Sequence, residues 1–214
     1  MTAFRWVPPF AQGLVRDLRV RWALEEAGLA YEERLIGPEE QRSAAYRRQQ
    51  PFGQVPVLEQ DGLTLFESGA IVLHVAEQSK ALLPTEAQAR LRARTWMFAA
   101  LSTVEPPILA LNALGMKQPV DDGVVPTRAR VASRVDQRLD SLAAFLTGKE
   151  HLEGAFSAAD LLMTTVLRAL RDTDRVSSRV VLREYQAGCE ARPAFQRALR
   201  AQMDTFARHA PVSP

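Results

Sequence analysis

Two short runs carry the groups best suited to chemistry: Gly53-Gln54-Val55-Pro56-Val57-Leu58-Glu59, and Phe66-Glu67-Ser68-Gly69-Ala70-Ile71. Pro56 has no N–H and a fixed φ, so it fits the first residue of a strand better than its interior. X-Pro is also the one peptide bond that turns cis at small cost. A cis bond at Val55-Pro56 would turn the Val55 N–H and C=O outward, open to a peptide-like ligand. Glu67-Ser68 stands just before the apolar run Ala70-Ile71-Val72-Leu73. Free N–H groups at a helix start take a carboxylate, and Glu67 takes an ammonium. Val-Pro alone is equally well an ordinary turn. The two runs together describe a holder for an amino-acid-like group.

The elements that must position these groups are readable from pattern. Residues 2–7 alternate as a strand, and Pro8 to Gly13 is a loop. Leu14 to Ala27 reads as a helix closed by Gly28. Tyr31 to Ile36 is a second strand. Pro38 to about Gln50 is a short polar helix or irregular segment, ended by the turn Pro51-Phe52-Gly53. Val55 to Glu59 and Leu63 to Phe66 form a hairpin across Gln60-Asp61-Gly62, where Asp-Gly is a strong turn signal. Glu67 to about Gln78 is a third helix. The order is βαβαββα.

Beyond a linker near Pro84 the chain has no convincing strand. Ala87 to Leu114 is helical with Pro106-Pro107 inside it, which predicts a kink or an end. Arg128 to Leu146 carries Val131, Val135, Leu139, Leu142 and Leu146 at helical steps and stops at Gly148. Ser157-Ala158-Ala159-Asp160 is a capping box with a structural role. Ser178 to Glu190 and Pro193 to His209 are two further helices. Asp121-Asp122-Gly123 reads as a loop turn.

Composition narrows the class. The chain has 214 residues, 47% of them apolar, and a formal net charge of +2. No basic stripe with interleaved aromatics suggests nucleic acid. The apolar runs look too short and interrupted to span a bilayer, and the N-terminus lacks a signal-peptide pattern. The single cysteine, Cys189, excludes an internal disulfide framework. Its predicted place on a C-terminal helix suits a buried structural thiol. His74, His151 and His209 show no metal-ligand spacing, so no metal is expected. A cytoplasmic protein is the simplest expectation.

A strand-entry proline, a tight hairpin and an acid-hydroxyl helix start together resemble the glutathione transferase superfamily. The likeness covers most of the chain. It implies a fold of class α/β plus all-α: a thioredoxin-like βαβαββα domain at residues 1–79, a linker at 80–86, and a helical-bundle domain at 87–214. By this resemblance the co-substrate is glutathione, γ-Glu-Cys-Gly. Val55, beside Pro56, would pair with its cysteinyl backbone. Glu67 and Ser68 would hold the γ-glutamyl end, Gln54 would add a polar side chain, and Gln41 or Arg42 would meet the glycyl carboxylate. Electrophile specificity would come from the helix Arg90 to Asn112, with Thr95, Met97, Phe98, Leu101, Ser102 and Glu105 as candidate lining residues. The resemblance also implies a homodimer.

The reaction needs glutathione sulfur as thiolate. A free thiol has a pKa near 8.5, so lowering it by about two units takes roughly 2.7 kcal/mol of differential stabilisation. Most relatives supply a Tyr, Ser or Cys near the start of the first helix. Here Val20-Arg21 aligns that position near Leu14, and Val7 to Leu18 contains no Ser, Thr, Tyr or Cys. The nearest polar groups are Gln12, Arg16 and Asp17. Two substitutes remain: the N–H groups at the helix start, near Gly13 to Arg16, and the permanent cation of Arg16. Without a first-helix cysteine, thiol-transferase and dehydroascorbate-reductase chemistry lacks its nucleophile. The sequence therefore predicts a transferase acting on small electrophiles, with a non-catalytic glutathione-binding carrier or interaction protein as the alternative.

Overall fold

Thr2–Phe4 (β1) pairs in parallel with Arg34–Ile36 (β2), and Leu58–Gln60 (β3) pairs antiparallel with Leu63–Leu65 (β4) in the computed structural model, which describes residues 1–115 and 124–211. Asp121-Asp122-Gly123 lies outside the described residues. The Thr2 N–H donates to Val57 C=O at 2.7 Å, joining β1 to the segment entering β3. Between the strands lie α1 (Asp17–Ala27), α2 (Pro38–Arg42) and α3 (Ala44–Gln49), and α4 (Ser68–Glu77) follows β4. The order is thioredoxin-like, with the middle helix split at Ser43. Ser43 caps α3 by accepting from the Tyr46 N–H.

The strands are shorter than the sequence pattern suggests. β3 starts two residues after Pro56 because a proline cannot donate to the ladder. α1 starts at Asp17 rather than Leu14, since Gly13 to Arg16 is taken up in turns. It ends as expected at Gly28, whose φ of 67° is a left-handed cap conformation open to glycine.

Within the described residues the chain divides into two compact units, one of Met1–Leu83 with Ala191–Pro214, the other of Pro84–Glu190. In the first, α10 (Pro193–Arg208) packs on α1. Trp22 meets Phe195 edge-on with ring centroids 4.8 Å apart. Beneath them runs a buried polar chain. Asp17 accepts from Arg21 Nε at 2.7 Å and from Gln202 Nε2 at 2.7 Å. Arg21 Nη1 continues to Glu33 at 2.5 Å, and Thr205 closes the chain by donating to Glu33. Buried charges are tolerated only when paired in this way.

The second unit is helical: Ala87–Ala99 (α5), Glu105–Gly115 (α6), Val124–Leu146 (α7), Ala158–Leu167 (α8) and Val180–Glu190 (α9). Pro106-Pro107 does not end the first of these helices. Ala100–Val104 widens into a π turn just ahead of the prolines, and α6 continues. Each proline removes an N–H and crowds the carbonyl four residues back, so the wider turn relieves both. By length and composition alone Ala87–Gly115 passes as a membrane-spanning helix, contrary to the reading that no run was long enough. Its Met97, Ala100, Val104, Ile108 and Leu111 are buried, with α5 against α8 and α6 against α7, while Leu91, Phe98 and Leu109 are exposed.

The capping box is formed. Asp160 accepts from Ser157 N–H, Ser157 Oγ, Leu152 N–H and Tyr185 OH, at 2.9 to 3.0 Å. One carboxylate thus orders the start of α8, the loop before it and α9. Cys189 is fully buried on α9.

Candidate functional site

The β3–β4 hairpin brings the two candidate runs to one place. Its register pairs Leu58 with Leu65, Glu59 with Thr64 and Gln60 with Leu63. The ladder ends at Leu58 and Leu65, so the Val55-Pro56 run and the Glu67-Ser68 run both leave from the hairpin's open end, where α4 begins. The Val55-Pro56 bond is cis. Among the described residues neither the Val55 N–H nor its C=O has a hydrogen-bond partner.

Several contacts hold this loop. Val55 belongs to an apolar cluster with Ile36, Tyr46 and Val57, against which Val15 and Phe66 pack. The Tyr46 hydroxyl, on a side chain 1% exposed, donates to Gln54 C=O at 2.6 Å. Burial pushes this phenol up to about 12, so it is a neutral donor at any working pH. Gln41 Nε2 donates to Gly53 C=O at 2.7 Å. Gly53 has a φ of 65°, and a Cβ there would stand 3.3 Å from the Gln41 carbonyl, so glycine alone fits without adjustment.

Glu67 is exposed and has φ 68° and ψ 111°, strained for a residue with a side chain. Such outliers cost of order 1–3 kcal/mol and cluster at ligand sites. Ser68 is buried at the first position of α4 and accepts from Arg19 Nη1 at 3.2 Å. The first intrahelical bond is Ile71 N–H to Glu67 C=O, and among the described residues the N–H groups of Ser68, Gly69 and Ala70 have no partner.

The start of α1 is joined to the same region by Val15 on the apolar cluster and Arg19 on Ser68. Arg16 sits half-buried immediately before α1, and Leu14 is half-buried in the preceding turn. Near Leu14, Gln12 donates to Val7 C=O, and Asp17 belongs to the polar chain under α10. Arg42 is exposed at the end of α2, with no hydrogen bond or ion pair among the described residues. Gln54 presents an exposed side chain while its carbonyl is held by Tyr46. Among the described residues no hydrogen bond or ion pair ties Arg42 to the hairpin end.

Sequence reasoning missed Arg19, Tyr46 and the structural engagement of Gln41. A signal existed for the first. Arg19 and Arg21 interrupt the run Leu18-Val20-Trp22-Ala23-Leu24, every member of which is buried.

Residues 11–77 match the family model described as the N-terminal domain of glutathione S-transferase. Glutathione S-transferase 4 of Zea mays is 32% identical over 194 residues, covering 82% of this chain and 83% of that protein. A bacterial glutathione transferase, BphK, solved as a ternary complex, superposes with a TM-score of 0.76 at 28% identity, covering 95% of this chain and all of its own. A Pseudomonas putida glutathione transferase, solved with one glutathione disulfide bound per subunit, superposes at 0.80 with 22% identity over 93% of this chain and 89% of its own.

Proposed function

Since the chain belongs to the glutathione S-transferase family, we propose that it binds glutathione at the open end of the β3–β4 hairpin and conjugates it, through its sulfur, to small electrophiles. The observation that carries this reading is the convergence of unpartnered Val55 backbone groups with the strained Glu67 and the open first turn of α4. An extended cysteinyl residue pairs antiparallel with Val55 beside Pro56. The γ-glutamyl α-carboxylate takes the Ser68 hydroxyl and the N–H groups of α4, and its ammonium takes Glu67. Gln54 adds a polar side chain and Arg42 a cation for the glycyl carboxylate.

The thiol is activated without a side-chain hydroxyl. The positive end of the α1 dipole and the Arg16 cation favour the thiolate. A helix terminus contributes about 0.3–1 kcal/mol, up to about 2 in partly buried geometry, so the cation must supply the rest of the roughly 2.7 kcal/mol. The thiolate then attacks an electrophilic carbon, forming the C–S bond as the leaving group departs or the double bond takes a proton. Detoxification chemistry in a reducing cytoplasm suits the lone buried Cys189. We expect a homodimer, tested by size-exclusion chromatography with light scattering.

The absence of Ser, Thr, Tyr and Cys from Val7 to Leu18 favours a second reading, a glutathione carrier without turnover. Calorimetry with glutathione, then turnover against aryl halides, isothiocyanates and peroxides, separates them. Binding with turnover supports the transferase, binding alone supports the carrier, and neither overturns both. The glutathione thiolate absorbance near 240 nm, compared between wild type and Arg16→Ala, tests the activation step. An unshifted thiol pKa in the wild-type complex removes it.

A further inference from the structure

Arg19 lies in the first turn of α1, 4% exposed, and Ser68 opens α4, 5% exposed. Their contact, Nη1 to Oγ at 3.2 Å, spans 49 residues of sequence. A guanidinium carries N–H donors and no acceptor. Ser68 Oγ is therefore the acceptor in this contact, and its own hydroxyl proton is left to donate elsewhere. A serine at this position otherwise has local backbone acceptors to choose from. Arg19 fixes the side chain's direction instead, and it places a permanent positive charge one hydrogen bond behind the hydroxyl.

We propose that Arg19 is a positioning residue for carboxylate recognition. It presents the Ser68 hydroxyl as a donor to the α-carboxylate of the ligand's γ-glutamyl end, and so makes the site selective for a free amino-acid head over a plain acyl chain. This rests on the glutathione reading above. Arg19 acts through Ser68 and touches no ligand atom.

The test is calorimetric, with glutathione and with 4-aminobutanoyl-cysteinyl-glycine, which keeps the amine and lacks the α-carboxylate. Wild type binds glutathione more tightly than the analogue. Arg19→Met weakens glutathione by about tenfold to a hundredfold, the range for a lost hydrogen bond to a charged group, and leaves the analogue within about twofold. Ser68→Ala behaves alike, the double variant is no weaker than either single one, and Arg19→Lys recovers part of the preference. Equal loss for both compounds in Arg19→Met, or additive losses in the double variant, overturns the inference. Should Arg19→Met not fold, a Ser68→Ala protein that keeps the wild-type preference also overturns it. Wild-type protein that binds both compounds equally overturns this inference alone, whereas wild-type protein that binds neither overturns the glutathione reading beneath it.

Discussion

Removing the Tyr46 hydroxyl by Tyr46→Phe isolates the contact that holds the loop carrying Val55. The ring is 1% exposed and keeps its volume in phenylalanine, so no cavity opens. What is lost is a single bond of 2.6 Å to the Gln54 carbonyl. Such a bond is worth about 1 kcal/mol net, rising to about 3 if the carbonyl is left dry. For a chain of this size about 1 kcal/mol lowers the melting temperature by about 2–4 °C. If Tyr46 preorders the binding loop, part of that loss returns as an ordering cost on binding, and the Kd for glutathione rises by about threefold to tenfold. Differential scanning calorimetry and isothermal titration measure both. A pH signature accompanies them. The phenol is raised in the folded state from 10.0 to about 12, so its stabilisation is intact below 10 and lost as pH rises through 12. The wild-type advantage over Tyr46→Phe shrinks across that window. A lower melting temperature with an unchanged Kd would refute the positioning role, and no change in either would refute the contact itself.

Other perturbations probe the support around the site. Arg21→Met leaves buried Asp17 without its cation and should cost about 3–5 kcal/mol by denaturant unfolding, with a loss under about 1 contradicting the pairing. Burial alone would raise Glu33, but Arg21 and then Thr205 hold it below its ordinary 4.5. Burial likewise opposes ionisation of Asp136, which Arg175 and Arg179 hold below 3.8. The stability these carboxylates add is present above those values and lost as pH falls through the depressed ones. Melting temperature should therefore drop in acid, less steeply for Arg21→Met, and parallel slopes in the two proteins would contradict this. Asp160→Ala orphans the donors of Ser157, Leu152 and Tyr185 and should cost about 3–5 kcal/mol in denaturant unfolding, whereas a change under about 1 would show the box to be dispensable.

What was legible in the chain was what local chemistry decides. Asp61-Gly62 announced the hairpin, Gly28 the end of α1, and Ser157 with Asp160 the start of α8. Pro56 and Glu67-Ser68 point to the candidate site because each has a conformational or hydrogen-bonding peculiarity readable from residue type. What was not legible depends on distant partners. Asp17, Arg19 and Arg21 look like solvent-facing residues of a surface helix, yet all are buried, because Gln202, Ser68 and Glu33 meet them from far along the chain. The packing of α10 on α1 follows from the same long-range contacts. The π turn at Ala100–Val104 was missed because the pattern shows where prolines sit but not how the preceding turn absorbs them.

The central claim is that the open end of the β3–β4 hairpin holds glutathione. A crystal structure of the protein soaked with glutathione tests it most directly. The account predicts the cysteinyl backbone paired antiparallel to the Val55 N–H and C=O, with the γ-glutamyl carboxylate on Ser68 and its ammonium on Glu67. Glutathione bound elsewhere, or a site that stays empty at saturating glutathione, would contradict it.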